Sequence, residues 1–298
     1  LLIISQNIEA NAILYYTLNQ GLELASILND GSVTSSWSTY AANVKVAANN
    51  LLWDASAGLY KDNENSTLYP QDGNTWAIKA NMTLDASQTS VITASLRSRW
   101  GTYGAPAPEA GDTVSPFVSG IELESHFLAN NATTALDLMR LEWGFMLDDP
   151  RMTNSTFIEG YETSGSLHYA PYKNDARVSH AHGWSTAPTS LLSFFVAGLH
   201  LTSAKGKTWH VAPQVGDLSI VDAGFSTRLG LFKSSVKARS NGQLTEFAFS
   251  TPDGTSGDVS LPGVCGTLVN DAWKRVKLKN GEASGLIGGN WKLELDCY

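Results

Sequence analysis

Near Lys205 the spacing of apolar residues changes period. Upstream they recur every three to four positions, as in Trp37, Tyr40, Ala41, Val44, Ala48, Leu51 and Leu52. Downstream they alternate, in "TRLGLFKSSVKAR" and "QLTEFAFSTPDG", between turns of Gly, Asn, Asp and Pro. Only a helix gathers the first pattern onto one face, and only a strand gathers the second. A chain of 298 residues therefore reads as two domains, helical over 1–203 and all-β over 204–298.

The helical part reads as paired helices. Ser35 and Ser36 are N-cap candidates for the helix through Trp37, and Gly31 is expected to close the helix before it. A second pair is expected at about 74 to 82 and 87 to 100, and a third at about 116 to 129 and 132 to 147, opened by Ser115-Pro116. A last helix is expected from about 187 to 199, carrying Leu191, Leu192, Phe195, Val196 and Leu199. Hairpins of this kind close into rings, and these are too few for a ring of twelve helices. The expectation is the second half of a helical toroid, followed by a β-sandwich.

Net charge of -8 argues against nucleic acid or an anionic membrane as partner. No stretch approaches the roughly 20 apolar residues of a membrane span, and the opening "LLII" is too short for a secretion signal. Four sequons, at Asn65, Asn81, Asn131 and Asn154, permit a secreted glycoprotein. Cys265 and Cys297 lack histidines at zinc-ligand spacing, so a disulfide between them is expected, with two free buried thiols as the other reading. A bridge would stabilise the domain by about 3 to 4 kcal/mol in the chain-entropy model.

Polar chemistry collects where the helical rhythm stops, in "TFIEGYETSG" and the following "SLHYAPYKNDARVSHAHGW". Glu159 follows Phe157 and Ile158, an apolar pair that limits water and suits a general base. Its other reading is a solvated loop glutamate, which is the reading for Glu162 between Tyr161 and Thr163. His180 and His182 flank Ala181 and point the same way on extended backbone. With no matched third ligand, no metal centre is expected, and the histidines read as partners for a sugar hydroxyl or as caps of the next helix. "PQDGNTW" brings Asp72, Asn74 and Trp76 to a helix start, where Asp72 and Asn74 are also ordinary N-caps. "APAPEAGDTVSP" adds Glu109 and Asp112 on a proline-stiffened loop, and the two loops are placed so that they could share a rim. No phosphate-cradling loop or nucleophile elbow occurs, and no cofactor is expected.

Taken in order, "DASAGLYKD", "YPQDGNTWAI", "SPFVSGIELESHF", "STFIEGYETSGSLHYAPY", "VSHAHGWSTAPTSLL" and "GKTWHVAPQVGDLSIVDAGFST" resemble the fungal α-L-rhamnosidases of glycoside hydrolase family 78 over about residues 10 to 262. The resemblance implies an (α/α)6 toroid of the six-hairpin glycosidase type, a β-sandwich, and inverting hydrolysis of terminal α-L-rhamnose from a glycoside or oligosaccharide outside the cell. It implies the base role for Glu159 and a sugar contact for His182, with Trp184, Trp76 and Asp72 as further pocket residues. The family's general acid belongs to a motif in the first half of the toroid, so the N-terminal portion of the same enzyme is the expected partner. Two other readings stand beside it: a toroid hydrolase for another sugar such as a uronic-acid glycoside, with Arg177 or Lys173 as counter-ion, and a non-catalytic carbohydrate-binding fragment.

Overall fold

The computed structural model describes residues 7–239 and 241–296. They form two compact units that divide between Ala187 and Pro188.

The first unit is helical. α1 (Ile8–Ile27) and α2 (Thr34–Leu51) form a hairpin, followed by a short ribbon of β1 (Trp53–Asp54) and β2 (Leu59–Tyr60). α3 (Gln71–Lys79) and α4 (Ala86–Arg97) come next, then β3 (Thr113–Val114), α5 (Pro116–Leu128), α6 (Ala132–Leu138) and α7 (Gly144–Asp148). A wider π turn at Met139–Trp143 joins α6 to α7. α1 packs on α2 and α3, and α3 packs on α5. Ile8 and Ala12 meet Ala48, Leu52, Ala77 and Ile78 in one core, while Tyr40 and Leu51, which the helical spacing groups with Ala48 and Leu52, are exposed.

Three of these helices end in one way. Asn29, Asn81 and Asn130 take left-handed backbone (φ 55°, 57° and 56°). The next residue donates its N–H back five positions: Asp30 to Ala25 O, Met82 to Ala77 O, and Asn131 to His126 O, at 2.8 to 2.9 Å. This is the Schellman stop, which asparagine tolerates better than other residues with a Cβ. Helix α1 thus closes at Asn29 and not at Gly31. The start of α2 also differs from expectation, since it begins at Thr34 after Val33 without a side-chain cap.

β4 (Tyr161–Glu162) pairs with β3, Thr113 opposite Glu162 and Val114 opposite Tyr161. α8 (Ala187–Leu191) and a π turn to Val196 replace the longer helix expected to 199. Gly198 stops it with φ 73°, where a Cβ would lie 2.2 Å from the backbone carbon of Ala212.

The second unit is one hydrogen-bonded sheet of eight strands. Its strands are β5 (Leu199–Leu201), β6 (Thr208–Val211), β7 (Ile220–Thr227), β8 (Gly230–Ala238), β9 (Leu244–Ser260), β10 (Gly266–Asn270), β11 (Arg275–Lys277) and β12 (Glu282–Leu295). The main path runs β11-β10-β12-β9-β6-β5, with β8 also on β9 and β7 on β8. Every pair is antiparallel except β6 with β9. Bulges in β12 between Ala283 and Leu286 and between Ile287 and Gly289 re-aim its register against β9. Trp209, Phe249 and Trp291 fill the core, Phe249 stacked on Trp291 at 6.4 Å. The indole of Trp209 donates to Thr255 Oγ1 (2.9 Å), so its one polar atom is satisfied inside.

Cys297 lies outside the described residues, and Cys265 is exposed beside β10. Among the described residues no helix is long and apolar enough to cross a membrane.

Candidate active site

Between α7 and α8 the chain has no helix longer than one turn, so its backbone groups need other partners. They find them within the loop. Glu159 N–H donates to Ser179 O (2.8 Å), and His182 N–H donates to Phe157 O (2.9 Å). The hydroxyl of Ser185 donates to Ile158 O at 2.8 Å. Residues 157–159 are thereby fastened to 179–185. Trp143, on the π turn before α7, holds the same point by donating its indole N–H to Ser185 O (2.7 Å).

Ser185 is fully buried, so Ser185→Ala leaves the Ile158 carbonyl without its donor in a dry place. Chemical denaturation of this variant should show a loss of about 1 to 3 kcal/mol. A loss below about 0.3 kcal/mol, within the range of an ordinary surface change, would contradict the role given to this bond.

The fastening turns Glu159 inward until 3% of it is exposed. Its Oε1 accepts the Tyr172 hydroxyl at 2.8 Å, and Oε2 accepts Ser179 N–H at 3.3 Å. His182 Nδ1 lies 3.8 Å from Oε2, within ion-pair range but beyond a hydrogen bond. Burying a carboxylate is costly unless donors meet it, and these two donors offset that cost. The bond to Glu159 pushes the Tyr172 phenol above its ordinary range, with burial acting in the same direction.

Aromatic rings wall this carboxylate. Tyr169 lies over Gly160, where a Cβ would come within 2.3 Å of its ring. Trp184 donates its indole N–H to Glu159 O (3.3 Å) and lies 4.2 Å from the His182 ring. Phe117 of α5 is 5.5 Å from Trp184. Trp184 remains 43% exposed, so one aromatic surface beside the buried carboxylate faces solvent.

The sequence candidates fall into two groups. Glu159, His182 and Trp184 are brought together. Asp72 and Trp76 sit on α3, where the contacts they make are with other residues. Glu109, from the proline loop, caps that helix by accepting the N–H groups of Gln71 (2.9 Å) and Asp72 (3.0 Å). Asn74 serves instead as a clamp on β2, accepting Tyr60 N–H at 2.8 Å and donating to Tyr60 O at 3.0 Å. Burial first, and then the charge of Glu9, push Asp72 up to about 7. Burial and Asp72 push Glu109 up to about 6. Trp76 meets Tyr16 of α1 edge to face at 5.9 Å. The two loops thus meet at the start of α3, where Glu109 caps the helix.

Tyr172, Ser179, Ser185, Trp143 and Phe117 are site residues that the sequence reading did not single out. Tyr172 stands in the loop whose composition drew attention, while Trp143 and Phe117 look like any other apolar helix residue. Chemically, the cluster offers a buried carboxylate, an adjacent imidazole and aromatic walls.

No family model matches the chain, and no curated protein does. Solved structures do. A family 78 rhamnosidase of Bacillus sp. GL1 aligns with TM-score 0.68 at 23% identity, covering 86% of this chain and 26% of that one. The Streptomyces avermitilis α-L-rhamnosidase complexed with L-rhamnose gives 0.69 at 14%, covering 95% and 26%. The native α-L-rhamnosidase from Aspergillus terreus gives 0.63 at 16%, covering 96% and 30%. The chain spans between 26% and 30% of the length of these structures. At such identities the likeness is one of fold, and that fold is a glycosidase fold with helices followed by a large, mostly antiparallel sheet.

Proposed function

We propose that this chain is the water-activating part of an inverting glycoside hydrolase that releases terminal α-L-rhamnose. The observation that carries the reading is the Glu159 carboxylate, buried yet met by Tyr172 and Ser179, with His182 at 3.8 Å and an exposed aromatic surface beside it. The fold likeness to rhamnosidases and the quoted motifs support the choice of sugar. In this reading the helical unit is the second half of an (α/α)6 toroid and the β unit is its sandwich.

Glu159 takes a proton from a water as that water's oxygen bonds to the anomeric carbon from the face opposite the leaving group. The bond from the anomeric carbon to the glycosidic oxygen breaks, and that oxygen takes a proton from a carboxylic acid on the other side. The acid belongs to the N-terminal portion of the same enzyme. Inversion needs the two carboxyls about 6.5 to 9.5 Å apart, enough for the water. His182 uses Nδ1 toward Glu159, which leaves Nε2 for a sugar hydroxyl, and Trp184 supplies a stacking wall. In this reading the protein is a secreted glycoprotein carrying sugar at its four sequon asparagines, all of them exposed.

The test is hydrolysis of an aryl α-L-rhamnoside by the complete active enzyme, followed by NMR from the first turnover. β-L-Rhamnose is expected to appear first. First formation of the α anomer would overturn the inverting reading. Full turnover by this chain alone would overturn the location of the acid.

A further inference from the structure

At the tip of the β10–β11 hairpin Trp273 is 78% exposed, more than any other large hydrophobic side chain among the described residues. Its backbone is left-handed, with φ 60°. For a bulky side chain that conformation is an outlier held only by its surroundings. Here the holder is Asn270. Its Oδ1 accepts the N–H groups of Ala272 (3.1 Å) and Lys274 (2.9 Å), while its carbonyl accepts Trp273 N–H (2.9 Å). Asn270 in turn pairs with Trp291 in the sheet, so the tip is tied to the core. Folding gains nothing from an indole at this place, since glycine would fit the backbone better and the ring buries little.

Next to it, Asn290 Nδ2 donates to Asp271 Oδ2 at 2.7 Å, and both side chains are exposed. The pair offers exposed acceptors and donors two residues from Trp273 along the turn. The basic residues of the adjoining edge strand are already engaged, Arg275 with Glu294 (2.6 Å) and Lys277 with Asp296 (3.5 Å). At the tip itself the exposed Lys274 balances the charge of Asp271, so this surface carries little net charge and suits a neutral ligand.

We propose that this hairpin tip is a second saccharide site, in which Trp273 stacks on the C–H face of a neutral pyranose in a glycan chain and the Asp271–Asn290 pair bonds its vicinal hydroxyls. The negative π face attracts the polarised C–H groups of the sugar, and a preformed platform loses little freedom on binding. The site belongs to the β unit and needs neither Glu159 nor a catalytic reading of this chain.

Native electrophoresis of the full protein through gels containing rhamnan, mannan or xyloglucan tests it. At least one of these neutral polymers should retard the protein. Trp273→Gly, which suits the left-handed backbone and should melt no lower than the wild type, is expected to weaken that retardation about tenfold. Asp271→Ala should weaken it in the same gel, and neither change should alter hydrolysis of a small aryl glycoside. Equal retardation of wild type and Trp273→Gly would overturn the proposal, as would no retardation by any of the three polymers. Concentration-dependent self-association that Trp273→Gly abolishes would assign the tip to a second copy of the chain instead.

Discussion

Replacing Glu159 with Gln in the complete enzyme should lower kcat on an aryl α-L-rhamnoside by about 10² to 10⁴, the range that general-base catalysis contributes. The fold should not notice. A glutamine amide has the volume of the carboxylate, its oxygen can keep the bond from Ser179 N–H, and its NH2 can donate to the Tyr172 oxygen once that hydroxyl turns away. Its melting temperature should therefore stay within a few degrees of the parent, and KM should change little, because the sugar contacts remain. An amide cannot accept a proton from water near neutral pH, so the loss falls on the chemical step. If the variant turned over at the parental rate, the base role would be withdrawn, whatever the fold likeness says.

The second large effect concerns Glu142, which sits on the π turn directly before Trp143. Its carboxyl is fully buried. Oε2 accepts Ala105 N–H at a long 3.4 Å, and Oε1 has no hydrogen-bond partner among the described residues. Burial pushes this acid up to about 8, only partly countered by Ser119 and Ala105. Between the ordinary carboxyl range and pH 8 the folded protein therefore holds a proton that the unfolded chain has released. Stability must fall as pH rises through that window, and it is fully present below it. Glu142→Gln removes the titration while keeping the shape. The variant should match the wild type at pH 4.5 and exceed it at pH 8 by roughly 3 kcal/mol in chemical denaturation. A difference that does not change with pH would show that Glu142 is not held protonated.

Asp72 and Glu109, raised to about 7 and about 6, act with the same sign and leave a residual slope in the variant. Below about pH 4 the slope reverses. There Asp54, held low by Ser56 and Tyr69, and Asp149, held down to about 2 by Arg151, lose their partners as they protonate.

Local rules carried far along this chain because its elements are regular. Apolar residues at helical spacing from Trp37 to Leu52 bury Ala41 and Ala48, and alternation in "LFKSSVKA" buries Phe232, Ser234, Val236 and Ala238. Each of these assignments depends on neighbours only a few residues apart. Glu159 was legible for the same reason: the apolar pair before it and the helix-poor stretch around it are both local facts.

Where partners come from far along the chain, local rules gave the wrong one. Asp72 and Asn74 look like caps, yet the cap of α3 is Glu109, brought by a loop that folds back over the helix end. Gly31 looks like a helix stop, yet Asn29 reaches the left-handed region first.

The amino-acid sequence by itself determined the change from helix to strand, the paired helices and the carboxylate placed in a loop, since each follows from how adjacent side chains repeat along a backbone. Only the tertiary structure decided which donors meet that carboxylate, that Trp143 and Ser185 hold it in place, and that Glu142 lies in a dry pocket. A hydroxyl or an indole N–H can satisfy many acceptors, and which one it meets depends on how separate segments pack together.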